Sequence, residues 1–93
     1  MTISIASVPT ASASRYLQQL CKHWSHKFAV EFDTHHGTIP LPMGHATLTA
    51  HDASLEVKLE VADRSNLERM QKVVAEHLDR FAFREAPLPF NWS

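Results

Sequence analysis

The chain has one cysteine and two glycines among its 93 residues, and no long apolar run. A lone cysteine cannot close an internal disulfide, which points to a reducing compartment. Two glycines cannot build a phosphate-cradling loop, so nucleotide-binding fingerprints of that kind are excluded. No segment approaches the ~20 apolar residues needed to span a bilayer. The opening MTISIASVPT carries no basic leader and no signal-peptide core. The cytoplasm is therefore the expected location. A net charge of −1 gives no long-range field, so neither nucleic acid nor an acidic membrane is an expected partner. The length leaves room for one sheet and two helices, and excludes a large barrel or a doubly wound fold.

Within those limits the composition is that of a globular protein, with 44 % apolar and 20 % charged residues. Seven histidines are the one excess, and they raise the prospect of metal or pH chemistry. The densest stretch is RYLQQLCKHWSHK, Arg15 to Lys27. Leu17, Leu20, Cys21 and Trp24 recur at i, i+3, i+4 and i+7, which predicts an amphipathic helix ending near His26. Arg15, Lys22 and His26 fall on its polar face, with His23 at the edge. Thr10 or Ser12 can cap its start.

Alternation dominates the chain on either side of this helix. Residues 1–9 form an extended lead-in suited to an edge strand, closed by Pro9. Phe28, Val30 and Phe32 alternate with polar neighbours, and His35-His36-Gly37 is the expected turn. Ile39, Leu41 and Met43 alternate with Thr38, Pro40 and Pro42. Gly44 turns the chain again, and Ala46, Leu48 and Ala50 come next. Leu55, Val57, Leu59 and Val61 give the cleanest period-2 run. Ser65-Asn66-Leu67-Glu68 reads as a capping box opening a second helix, whose stripe is Leu67, Met70, Val74, His77, Leu78 and Phe81. The tail 86–93 is an extended arm, or an added edge strand. The expected architecture is a single α+β domain over residues 1–93: a four- to five-stranded, mainly antiparallel sheet with two helices packed on one face.

Candidate chemistry gathers on the helices. His77 interrupts an apolar stripe, so it is either a core histidine bonded to a carbonyl or a ligand-contacting group. His23 and His26 are spaced i, i+3. They either complement the helix C-terminus or join His77 as metal ligands, for zinc or for iron in haem. No HExxH or CxxC context accompanies them. Cys21 sits in the apolar stripe, as buried free cysteines do. Arg80 and Arg84 flank Phe81 and Phe83 in HLDRFAFRE. They can hold a carboxylate or phosphate, or pair with Asp79, Glu76 or Glu85 to fasten the tail. The open sheet face carries Glu31, Asp33, His45, His51, Glu56, Lys58 and Glu60, a solvated surface or a homodimer interface.

Taken together, these segments resemble a small bacterial family of unknown function, DUF2218. The resemblance rests on Arg15, Tyr16, Leu20, His23, Trp24, His26 and Lys27, then on Gly37, Gly44, His77, Arg80, Phe81, Arg84 and Glu85. It implies no assigned activity. It does imply a link to iron, since some members are associated with siderophore-iron uptake or fused to siderophore-interacting reductase domains. The leading expectation is a non-enzymatic binding domain in iron–siderophore handling, with a siderophore-related protein as partner. Its ligand site is expected between the helices, lined by His23, His77, Arg80, Arg84, Lys27 and Trp24. The alternatives are a small acid–base enzyme using His77 and His23 on an anionic substrate, and a structural dimerisation module.

Overall fold

A computed structural model describes residues 2–93, so the first residue of the expected lead-in lies outside the described residues. Among these residues five strands and two α-helices follow in the order β1 (Thr2–Pro9), α1 (Ala13–Trp24), β2 (Glu31–Phe32), β3 (His36–Leu41), β4 (Gly44–Ala50), β5 (Ser54–Val61) and α2 (Leu67–Phe81). The strands make one antiparallel sheet in the order β1-β5-β4-β3-β2. Ala46, Leu48, Leu55, Val57, Leu59 and Val61 all turn to the same side, where both helices cover them. The α+β architecture is the one the alternation and the two helical stripes imply. Among the described residues, no helix is long and apolar enough to cross a membrane.

The stripe of α1 is buried as its spacing dictates, through Leu17, Leu20, Cys21 and Trp24. Its start differs in detail. Thr10 Oγ1 accepts from the Ser12 N–H at 3.1 Å, while Ser12 makes no side-chain cap. The helix stops at Trp24 rather than His26, because the next residues close tighter turns onto it. The Ser25 N–H donates to the Cys21 carbonyl, and the Lys27 and Phe28 N–H groups both donate to Trp24.

Several expectations are corrected. The strand expected over Phe28–Phe32 shrinks to Glu31–Phe32, since Phe28 and Val30 pack against the core from the loop. The turn before β3 does not use Gly37. Asp33 makes it, its Oδ1 accepting from the His35 and His36 N–H groups at 2.8 Å each. Those bonds hold the Asp33 carboxyl below its ordinary value. Gly37 lies inside β3, and it is required for a packing reason. A Cβ there would sit 2.5 Å from Cys21 Sγ, so the glycine lets α1 approach the sheet. The capping box at Ser65 does not form. Asp63 Oδ1 accepts instead from the Ser65 N–H and hydroxyl, closing a 3₁₀ turn that leads into α2.

In β1 the larger apolar residues face outward. Ile3 and Ile5 are exposed, while Ser4, Ala6 and Val8 face the helices. The buried Ser4 hydroxyl accepts from Gln71 Nε2 on α2 at 3.0 Å. The tail is an arm, not a full strand. Leu88 is buried, Phe90 stacks on Trp92 at 5.6 Å, and Ser93 exchanges two backbone hydrogen bonds with Ile5 on the outer edge of β1. Asp79 on α2 pins the arm by accepting from the Leu88 N–H at 2.9 Å.

Candidate functional site

The two helices run in opposite senses along a shared seam. From α1 the seam receives Arg15, Gln19 and His23, at i, i+4 and i+8. From α2 and the turn after it come Arg84, Phe81 and His77. One end is filled by rings. The His77 ring lies 4.8 Å from Trp24 and 5.5 Å from His23, and His23 meets Phe81 edge-on at 5.9 Å. His77 Nδ1 lies 2.7 Å from the Val73 carbonyl. A carbonyl only accepts, so Nδ1 carries the proton and donates it there. His77 is thus half-buried and already satisfied on one nitrogen, while His23 is exposed.

His26 and Lys27 are exposed in the turn beyond α1. Among the described residues, no three histidine, cysteine, aspartate or glutamate side chains converge as a metal site. The structure therefore brings His23 to His77 but does not add His26 to them. Cys21 is fully buried, and burial pushes its thiol up to about 12, which removes thiolate chemistry at neutral pH.

The other end of the seam is open. A cleft of about 200 Å³ is lined by Arg15, Tyr16, Gln19, Phe81, Phe83 and Arg84. Among the described residues the carboxylates paired with basic side chains are Glu60, with Lys58, and Glu56, with the His51 imidazole. Neither Arg15 nor Arg84 is in these pairs, so two guanidinium groups border the cleft with no carboxylate partner among the described residues. The Arg84 guanidinium lies 5.7 Å from the Phe83 ring centroid, a cation–π contact. Arg80 is exposed on α2 and does not line the cleft.

Glu85 braces the cleft from behind. Its carboxylate accepts from the Tyr16 hydroxyl and from Thr10 Oγ1, the latter at 3.1 Å. This ties the turn after α2 to the start of α1 across the chain, and sets Arg84 opposite Arg15. The Glu85 hydrogen bond, then burial, hold the Tyr16 phenol above its ordinary value. Tyr16 is therefore a neutral donor committed to Glu85.

Of the residues marked in the sequence, Arg84 reaches this cleft, and Trp24 and His77 close the other end. Arg15, Gln19 and Phe83 were not among the expected contacts. The i, i+4, i+8 line from Arg15 through Gln19 to His23 is the signal that could have found the first two. Two further clefts are more open to solvent. One of about 270 Å³ lies at the β3–β4 hairpin, and one of about 310 Å³ lies beside Glu31, Asp33 and His36. Carboxylates line the latter, which disfavours an anion there.

The fold and cleft define a small α+β domain: an antiparallel sheet covered on one face by two helices, with a cationic cleft at one end of their seam. The chain belongs to a bacterial family described as an uncharacterized protein conserved in bacteria, DUF2218, whose profile matches residues 5–93. It is similar to the NMR structure of PA4090 from Pseudomonas aeruginosa, with 40 % identity and a TM-score of 0.83. The match covers 100 % of this chain and 96 % of that one. No curated protein matches the chain.

Proposed function

We propose that this is a non-enzymatic binding domain for a small anionic ligand, held in the cleft between Arg15 and Arg84. The observation that carries the reading is the pair of guanidinium groups that, among the described residues, have no carboxylate partner and border a concave surface. Arginine forks match the geometry of carboxylates and phosphates. The cleft is smaller than the ~300–1,000 Å³ of pockets for drug-sized ligands, so it suits a small acid or one acidic arm of a larger chelator. The role fits an accessory in bacterial iron–siderophore handling, in the cytoplasm beside a siderophore-related protein, as the family resemblance suggests.

An acid–base role for His23 and His77 has less support. His77 spends Nδ1 on Val73, and Trp24 and Phe81 take up the space around the pair. A dimer through the open sheet face also has less support, because Lys58 and Glu60 already pair within it at 3.3 Å, as do His51 and Glu56 at 3.6 Å.

The test is a titration of the labelled protein with inorganic phosphate and with citrate, followed by NMR. Saturable shifts at Arg15, Gln19 and Arg84, lost in an Arg15→Ala/Arg84→Ala double variant that keeps its fold, are the expected result. Unsaturable shifts, or shifts indifferent to both arginines, would overturn the reading.

A further inference from the structure

We infer that the ligand of the Arg15–Arg84 cleft is a single-ring aromatic acid, with its carboxylate on the guanidinium groups and its ring against Phe83. The inference rests on the anion-binding reading above and narrows it to a chemical class. Phe83 is 71 % exposed, the most exposed large apolar side chain among the described residues. It stands on the wall of a cleft, not on open surface. A concave site that leaves an aromatic face uncovered gains most from a ligand that covers it, because the apolar area leaves water and ring–ring contact adds to that gain.

The neighbours of Phe83 agree with a flat partner. Arg84 lies over the Phe83 ring at 5.7 Å, so guanidinium and ring are offered together as one shelf. A ligand whose carboxylate meets the Arg84 fork brings its next atoms beside that ring. Half-buried Phe81 supplies a second aromatic wall. Gln19, on the α1 side, offers one donor and one acceptor. It can read a hydroxyl placed next to the carboxylate. The Tyr16 hydroxyl is spent on Glu85 and is not available for this. A volume of about 200 Å³ admits one six-membered ring with its carboxylate and leaves little room for a second.

Inorganic phosphate fits the charge of this site but leaves Phe83 uncovered. An aliphatic acid of equal size covers it without ring–ring attraction. These differences set the experiment. The labelled full chain is titrated with benzoate, salicylate, cyclohexanecarboxylate and inorganic phosphate at one pH, and side-chain signals of Gln19 and Arg84 are followed. Benzoate and salicylate are expected to saturate, and to bind about three- to tenfold more tightly than cyclohexanecarboxylate. Phe83→Leu, at an exposed position that does not govern folding, is expected to abolish that ratio while carboxylate binding persists. Equal affinity for benzoate and cyclohexanecarboxylate would overturn the aromatic class and leave the anion site standing. Binding of phosphate alone would do the same. Failure of every probe to saturate would overturn both readings.

Discussion

The two ends of the α1–α2 seam carry residues of similar chemical promise and put them to different use. At one end His23, Trp24, His77 and Phe81 are flat rings, and flat rings pack face to edge until little space is left. At the other end Arg15 and Arg84 have long stems and charged heads that stay in water, so the helices are faced there by a cleft. Residue type alone marks histidine as the reactive group. Shape decides otherwise: imidazoles can serve as packing, and arginines hold space open. The same seam is thus packed shut by rings at one end and left as an arginine-lined cleft at the other.

The largest expected effect lies at the filled end. Trp24 is 5 % exposed and contacts His77 directly. Trp24→Ala should cost about 3–5 kcal/mol, through lost burial and the cavity left behind. Urea unfolding measures it. A cost below about 1 kcal/mol would mean that the rings are not what holds the helices together there, and the contrast between the ends would fail.

At the open end the effect falls on affinity and not on stability. Arg15→Ala or Arg84→Ala should each weaken anion binding by about ten- to a hundredfold, the worth of a charge-assisted hydrogen bond. Stability should stay within about 0.5 kcal/mol, because both side chains are exposed and unpaired among the described residues. Calorimetric titration and thermal melts on the same variants separate the two. An arginine variant that unfolds the domain while sparing affinity would invert the comparison.

How much of the fold and the cleft is legible in the sequence depends on which physical rule acts locally. The α1 stripe and the alternation of β5 are readable because each element is covered on one side only, so periodicity survives. In β1 the pattern misleads. Ser4 and Ala6 face inward, the Ser4 hydroxyl accepting from Gln71 on α2, and Ile3 and Ile5 are left outside. Gly37 looks locally like a turn glycine, whereas its role is set by Cys21 across the helix–sheet gap, a tertiary contact with no local trace. Asp63 outcompetes Ser65 for the free N–H groups before α2 because its carboxylate sits two residues earlier in an extended segment. Arg84 is identifiable from its company in HLDRFAFRE. Arg15 shares an i, i+4, i+8 line with Gln19 and His23, but a helical wheel assigns that line to solvent, and only the turn after α2, which brings Phe83 and Arg84 beside it, gives the line a role.

Glu85 allows the comparison to be sharpened from behind the cleft. Tyr16 is held above its ordinary value of 10.0, chiefly by the Glu85 hydrogen bond. The folded state therefore keeps a proton that the unfolded phenol releases. That contribution to stability is whole below pH about 10 and is lost as pH rises through the folded value. Glu85→Gln should bring the Tyr16 pKa down toward 10, shrink that alkaline loss and cost about 1 kcal/mol at neutral pH. The chain has one tyrosine, so phenolate absorbance reports this group alone. Cys21 provides an internal reference, since its thiol is raised by burial and not by Glu85. A Tyr16 titration that ignores Glu85→Gln would mean that the brace does not hold the cleft.

The smallest expected effect is the sharpest check on where recognition resides. His23 is exposed, and its ring touches the packed cluster from outside, 5.9 Å from Phe81 and 5.5 Å from His77. Removing it uncovers little and leaves no polar group stranded, because His77 keeps its bond to Val73. His23→Ala should therefore change stability by less than about 0.5 kcal/mol and leave anion affinity where it was. Melting curves and the benzoate titration measure both. A tenfold fall in affinity would move the ligand to the imidazole end, and the arginine cleft would then be no more than the surface left where two long side chains part.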